Sequence, residues 1–476
     1  MPKFRGSFLI ALVLITALAQ AEKKPVAKST PAARQAAAVA TDRPAIPKLE
    51  FTDTHLANGL RVIIAPDHSA PVYAISVTYN VGARNERPGR TGFAHLFEHM
   101  MFQGSENVGK GEHFSLVYNN GGAMNGTTTE DRTNYFETFP KNQLDLGLFL
   151  EADRMRSLAV NQFNLDNQRN AVQEERRLGV DNQPYGKAYL DIDNLAYDNF
   201  AYKHSVIGSM ADLDAAKLED LKDFFRIYYA PNNAVLTLVG DLEPQAALAA
   251  VKKYFENIPS QPAPPAVVTD EPEHYGERRE TIVDPLARLP QIIIGYHTPT
   301  GNTPENYAAR VLGNVLGEGE SSRLYEHLVK DKQLAASINV QAEARRGPSM
   351  FYVIAIPRPG VKPEDLEKAI YDEIAGVAKD GITDQELAKA RAQFRRQMIQ
   401  RRQTDLQTAI AIGQYAVFFG EPDLINTSYD KFSAVTAAQV KEAARKYLVA
   451  KDRAVVTTLP PAKPAAAQEG ANGGIQ

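Results

Sequence analysis

Hydrophobic and polar positions along this chain follow two periods, and the two are interleaved. Residues 60–65 and 72–79 are rich in Val, Ile and Tyr and read as strands, with a third candidate at 132–139. Residues 144–158 and 163–180 repeat their apolar positions every three or four residues, the spacing of a helix with one buried face. Strands and helices mix without a regular strand–helix–strand beat, so the expected class is α+β, antiparallel-rich sheets backed by helices. A longer regularity lies over this one. A helical stretch at 221–229 turns through Ala230-Pro231-Asn232-Asn233 into a strand at 234–238. A helical stretch at 440–447 leads through Lys451-Asp452 into a strand at 454–459. The same ending about 220 positions apart points to two duplicated modules.

Breaks in the pattern mark the boundaries. Residues 258–285 open with Pro259, Pro262, Pro264 and Pro265, and Asp270-Glu271-Pro272 follows. Proline at that density opposes regular structure, so this is the expected linker between modules at 49–257 and 286–459. At the N-terminus, Lys3 and Arg5 precede an apolar run at 8–19 broken only by Thr16. Ala19-Gln20-Ala21 then fits a small-x-small cleavage site, which makes residues 1–21 an expected secretory signal peptide. The run is shorter than the roughly 20 residues of a membrane span, and no second candidate follows, so no span is expected after cleavage. Residues 22–48 are rich in Ala, Lys and Pro without apolar periodicity and read as a flexible tether; residues 460–476 read as a disordered tail.

Composition narrows the chemistry. The 476 residues are 44% hydrophobic and 23% charged, a foldable globular mixture. With 53 basic and 57 acidic residues, the net charge of −4 lacks the basic excess of a nucleic-acid binder. The absence of cysteine excludes disulfides, thiolate metal ligands, cysteine-held iron–sulfur clusters and a cysteine nucleophile. A metal would have to be held by His, Asp or Glu.

His95-Leu96-Phe97-Glu98-His99 offers such a set. His95 and His99 are four apart on a helix-like segment, one above the other on one face, and Glu98 shares that side. Two imidazoles one turn apart can both ligate a metal, and a carboxylate beside them can act on a water. The order H-x-x-E-H is a recognised catalytic motif. Catalytic zinc takes three protein ligands, so a third is expected elsewhere. Glu174-Glu175 in the helix at 163–180 is the candidate pair. Glu175 lies in the row Gln168, Ala171, Val172, Leu178, the more apolar face, whereas Glu174 lies with Asn167, Asn170, Arg177 and Asp181. A core-facing acid needs a partner, because an unpaired buried charge is costly; a metal or a salt bridge would supply it.

This constellation, with Glu175 placed 76 positions after His99, resembles the pitrilysin-type zinc peptidases, which include insulin-degrading enzyme and the mitochondrial processing peptidase. Further matches are Asn58-Gly59-Leu60, Gly121-Gly122, Asn125 and Asp181-Asn182-Gln183-Pro184-Tyr185-Gly186. The resemblance runs from about residue 56 to 459. It implies two homologous α+β modules enclosing a chamber, with one zinc ion per chain in the first. It implies that His95, His99 and Glu175 bind zinc and that Glu98 is the general base. Asn125, Gly126 and Thr127 match the family's edge strand, which would hold an extended peptide by main-chain hydrogen bonds.

Two departures accompany the resemblance. Gln168 stands where some members carry an additional acid. Val329 and Ala336 stand where active single-chain members carry an Arg and a Tyr that reach the substrate, and neither side chain can donate a hydrogen bond. A homologous zinc-less partner subunit is therefore expected to supply both. Tyr325-Glu326-His327 echoes the metal motif without its other histidine, and reads as packing. His204 reads as part of an ordered loop; His55, His68, His113, His274 and His297 read as ordinary. The expected function is an exported zinc endopeptidase, periplasmic or secreted, acting on peptides or unfolded segments. A non-catalytic scaffold subunit and a metal-storage protein are the alternatives, and the complete set His95, Glu98, His99 and Glu175 argues against both.

Overall fold

The computed structural model describes residues 45–273 and 275–462. The expected signal peptide, residues 22–44 of the tether, His274 and the tail beyond 462 lie outside them. Six strands form the first sheet: β1 (Thr52–His55), β2 (Arg61–Pro66), β3 (Val72–Tyr79), β4 (Ala123–Thr128), β5 (Thr133–Pro140) and β6 (Ala234–Gly240). Five form the second: β7 (Arg278–Val283), β8 (Gln291–Thr298), β9 (Ala335–Ala342), β10 (Ser349–Pro357) and β11 (Ala454–Leu459). The second sheet begins inside the proline-rich stretch expected as linker, and the residues from Pro259 to Glu277 are without helix or strand among those described.

The two sheets have the same topology. Their orders are β1-β2-β6-β3-β5-β4 and β7-β11-β8-β10-β9, so the second repeats the first without β1. In each, the first strand of the repeat runs parallel to the last, Arg61 opposite Val235 and Arg278 opposite Ala454. All other pairs are antiparallel. Strand β3 lies in mid-sheet with every residue after Val72 buried, which explains its nearly unbroken run of strand-favouring residues. Helices follow in the same order too. After β3 come α1 (Phe93–Met100) and α2 (Glu112–Asn119); after β5 come α3 (Leu144–Ser157), α4 (Gln162–Arg176) and α5 (Gly186–Ala196). After β8 comes the helix Pro304–Gly317; after β10 come Pro363–Asp380, Asp384–Gln400 and Asp405–Phe419. The α+β class and the duplication are thus both present.

Each sheet is apolar on both faces, and each borrows cover from the other half of the chain. Helix α5 lies on the second sheet, where Ala188, Ile192 and Ala196 pack with Ile293, Met350 and Val456. The helix Asp405–Phe419 lies on the first, where Ala409, Ile412 and Ala416 pack with Ile63, Ala74 and Val239. The approach is close. A Cβ at Gly413 would sit 2.6 Å from Thr78 Oγ1, and one at Gly295 would sit 2.6 Å from Met350 Cε and 3.4 Å from Ile192.

This packing fixes an expected contrast. Gly376, inside the helix Pro363–Asp380, has nothing within 4 Å of the place a Cβ would occupy. Gly376→Ala should stabilise by about 0.5–1 kcal/mol through helix propensity. Gly413→Ala gains the same propensity but overpacks the seam, a change that costs about 1–3 kcal/mol. Urea midpoints of the two variants should therefore move in opposite directions.

Candidate active site

Helix α1 starts at Gly92, whose φ of 86° favours glycine and whose Cβ would meet Ile207 O at 2.8 Å. Glycine cannot cap the helix with a side chain, so a distant acid does. The Glu86 carboxylate accepts the N–H of Gly92 at 2.9 Å and of Ala94 at 2.7 Å. That satisfies two orphan donors and places negative charge at the positive end of the helix. Glu86 is buried and meets His204 Nε2 at 2.9 Å. The other ring nitrogen of His204 faces Phe200 O at 2.9 Å. Both nitrogens thus point at acceptors, which only the doubly protonated ring can satisfy. Burial pulls the His204 pKa down, but Glu86 more than compensates and the net shift is upward.

Phe93, Leu96, Phe97 and Met100 bury the apolar side of α1, with Phe97 stacked 5.1 Å from Phe224. His95 and His99 emerge toward α4, where Leu165, Gln168 and Val172 are buried. Glu175, in the last turn of α4, completes the group. His99 Nε2 lies 3.2 Å from one Glu175 oxygen and His95 Nε2 lies 3.6 Å from the other. One ligand atom from each of the three residues lies within 4.8 Å of the others. Glu174 points away and pairs with Arg177 at 3.2 Å. The row expected to face the core does so only at Gln168 and Val172: Ala171 and Glu175 are exposed, and beyond them α4 gives way to a wider turn at Arg177–Asp181 with Leu178 55% exposed.

Glu98 faces β4. It accepts the Thr128 hydroxyl at 2.6 Å. A Cβ at Gly126 would meet Glu98 Cγ at 2.9 Å, so a strand residue without a side chain makes room for the carboxylate. Burial raises the Glu98 pKa, opposed by the Thr128 hydrogen bond. Burial also lowers His95, to about 4. The hydrogen bond from His99 holds Glu175 below the usual carboxylate range. Asn125, Gly126 and Thr127 all lie in β4, which pairs only with β5 and forms the sheet edge. Two backbone groups of that strand are already engaged: the Asn125 side chain accepts the Gly126 N–H at 2.9 Å, and Arg132 donates to Thr127 O at 2.8 Å.

The donors suit zinc. The Glu175 oxygens lie 3.2 and 3.6 Å from the two imidazole Nε2 atoms, near the separation of about 3.4 Å between tetrahedral ligands of one ion with bonds of about 2.0–2.2 Å. Imidazole-rich sets favour transition metals over hard, oxygen-seeking ions. His95 Nδ1 is buried with no hydrogen-bond partner among the described residues, so Nε2, aimed at Glu175, is the available donor. Gln168, at the position of the missing acid, donates to Asn167 Oδ1 at 2.6 Å and lies near enough to His99 to raise its pKa.

Several histidines read as ordinary have partners after all. His113 Nε2 meets the buried Glu137 at 2.5 Å, beside Arg154 and Glu151; His68 pairs with Asp241 at 2.7 Å. His204 holds the α1 cap. His327 of the second-module echo pairs with Glu373 at 2.7 Å, in the turn Tyr325–Asp331. Val329 is buried there and Ala336 is exposed on β9. Residue spacing gives no sign of Glu86 or His204. Thr128 is within its reach, because alternate strand residues share a face and Gly126 lies two positions before it.

Residues 61–208 match the family model for insulinase, peptidase family M16, and residues 215–394 match that for the peptidase M16 inactive domain. Zinc protease PqqE of Helicobacter pylori is 33% identical over 365 residues, 76% of this chain and 82% of the relative. The chain belongs to peptidase family M16. A crystal structure of a protease from Helicobacter pylori superposes with a TM-score of 0.83 at 30% identity, covering 87% of this M16 chain and 100% of that one. A probable mitochondrial-processing peptidase subunit beta of Arabidopsis thaliana is 23% identical over 411 residues, 84% of this chain and 77% of the relative. The second M16 match runs from the end of the first module, including β6, into the second, whose described residues hold no comparable metal-ligand cluster.

The cap makes a pH-dependent contribution with a definite sign. His204 has a folded pKa above its ordinary 6.5, so its contribution to stability is full below that value and is lost as pH rises through the raised one. His204→Gln keeps a donor toward Glu86 but does not titrate. The stability difference between wild type and variant should shrink as pH is raised from about 6 to about 9, read by chemical denaturation at each pH.

Proposed function

We propose that this chain is an exported, zinc-dependent endopeptidase that hydrolyses peptides or unfolded segments. One observation carries the reading: a three-donor cluster, His95, His99 and Glu175, lies beside a carboxylate held against a free sheet edge by Thr128. His95, His99 and Glu175 would hold one zinc ion, which when bound supplies Lewis-acid polarisation of the scissile carbonyl. Glu98 takes a proton from the attacking water and delivers it to the leaving amine. Its raised pKa, caused by burial, brings it toward the pH at which both transfers are efficient. Strand β4, through Asn125, Gly126 and Thr127, holds the peptide by main-chain hydrogen bonds that are largely independent of substrate side chains. The peptide displaces the local contacts of Asn125 and Arg132.

The chain acts as the zinc-bearing subunit of a heterodimer with a zinc-less homologue. Val329 and Ala336 cannot donate to a developing oxyanion, and the partner supplies the missing Arg and Tyr. The signal-peptide reading of residues 1–21 places the protein in the periplasm or outside the cell; a structure described as the periplasmic protease PqqL from Escherichia coli shares the fold, with a TM-score of 0.72.

Two measurements test this. Cleavage of a quenched peptide library by the mature chain should be zinc-dependent. Glu98→Gln should lower it by about 10²–10⁴-fold while bound zinc, measured by atomic emission, stays the same. Stoichiometric zinc without hydrolysis, alone or with any homologous partner, would favour the scaffold reading. Addition of the zinc-less partner should raise the rate by about 10²–10³-fold, the effect of restoring an oxyanion donor. Equal rates for the single chain and the mixture would sink the two-chain reading.

A further inference from the structure

The duplication gives the metal-bearing elements counterparts in the second half. In the first, α1 supplies His95 and His99, and the end of α4 supplies Glu175. By order in the repeat, the counterpart of α1 is the helix Pro304–Gly317 and that of α4 is Asp384–Gln400. These two helices also pack on each other, as α1 and α4 do. The first carries Arg310, and Arg401 follows directly on the second.

Both arginines line one cavity of about 310 Å³, walled also by Tyr307, Tyr415 and Phe419 and by the turn Thr129–Asp131 that follows β4. Neither guanidinium has a hydrogen bond or a carboxylate partner among the described residues. Arg310 instead lies over aromatic rings, 4.9 Å from the centre of Phe394 and 5.6 Å from that of Tyr307. Burial lowers its pKa, and the charge of Arg401 acts in the same direction. Acids do line the cavity, but they are spent or apart. Glu343 is paired with Arg345 at 2.6 Å. Asp131 accepts Tyr202 at 2.8 Å and the Arg346 N–H at 3.0 Å. Glu130, from the same turn, is within ion-pair distance of neither Arg310 nor Arg401. Two like charges therefore share a partly desolvated space without a counter-ion, an arrangement that an anion would relieve.

We propose that this cavity binds the free carboxylate end of a short peptide, with Arg310 and Arg401 as the anion donors. A guanidinium fork matches a carboxylate in shape and charge. The aromatic walls suit an organic tail, and Glu130 and Glu343 disfavour a doubly charged phosphate. The cavity lies where β4 ends, so a peptide leaving that strand has a path to it. The peptide identity of the ligand rests on the proposed function; the anion site itself does not.

The test uses the mature chain carrying Glu98→Gln, stripped of metal with EDTA, so that hydrolysis plays no part. Tripeptides with a free C-terminus and their C-terminal amides are titrated calorimetrically, with inorganic phosphate as a third probe. The free acid should bind about tenfold or more tightly than the amide, the worth of a charge-assisted hydrogen bond. Arg310→Gln and Arg401→Gln should each weaken it by a similar factor. Arg401 is exposed and Arg310 half-buried, so the Arg401 variant carries the test should Arg310→Gln fail to fold. Equal affinity for acid and amide, tighter binding of phosphate than of peptide, undiminished binding by Arg401→Gln, or no binding at all would each overturn the proposal. A peptidase that cleaves but shows no such preference would lose this site and keep its function.

Discussion

A sheet that is apolar on both faces must be covered on both, and neither sheet here achieves that with its own helices alone. The first is closed at the back by Asp405–Phe419, the second by α5. Everything at the candidate site rests on this exchange. Helix α1 and strand β4 sit on a sheet whose central strands β3 and β6 are pinned from behind by the other half of the chain. Gly413 and Gly295 are small because the crossing segments come that close.

On that platform, the helix that carries His95, Glu98 and His99 is held at several points by groups that are themselves buried. Glu86 and His204 anchor its start. The Tyr135 hydroxyl donates to Phe97 O at 3.2 Å in its middle, and Tyr135 lies under the Arg154 guanidinium, 4.7 Å from the ring centre. Arg154 is in turn neutralised by Glu151 and close to Glu137, two acids whose pKa values burial pushes up to about 7. Removing one member of such a group leaves a charge stranded in the core. Glu98 is the one acid of the helix turned toward the strand edge. Rigid support on three sides and a single free carboxylate is the arrangement expected where geometry must be fixed and one proton must move.

Much of this is legible in the residue pattern. Val72–Tyr79 announces itself because a central strand needs the same residues on both faces. His95, Glu98, His99 and Glu175 are legible because helical spacing sets which side chains meet within α1, and because Glu175 is an acid on an apolar row. That row misleads about burial, since Ala171 and Glu175 are exposed, and it fails altogether at Leu178, where the helix has widened from Arg177 and the period of 3.6 no longer applies. The cap by Glu86 and the ion pair with His204 are not legible. The ion pair joins residues 118 positions apart, and the cap reaches back 6 and 8 positions across an irregular loop, so no local period encodes either contact. His113 is hidden for the same reason: its partner Glu137 comes from β5, and only the folded sheet brings them together. The exchange of α5 and Asp405–Phe419 is equally silent, because an apolar stripe says that a helix is covered and not by what.

The exchanged helices also say something about origins. One module of this topology, standing alone, would leave a sheet face bare and its own α5-like helix without a seat. Two copies could solve both problems at once by trading that helix, as a symmetric pair. The present chain has the form of such a pair joined end to end. Fusion removes the need for symmetry, so one copy can keep His95 and His99 on its first helix while the other is free to acquire different side chains on its counterpart. The arginines of the second half occupy the ground that this asymmetry opened.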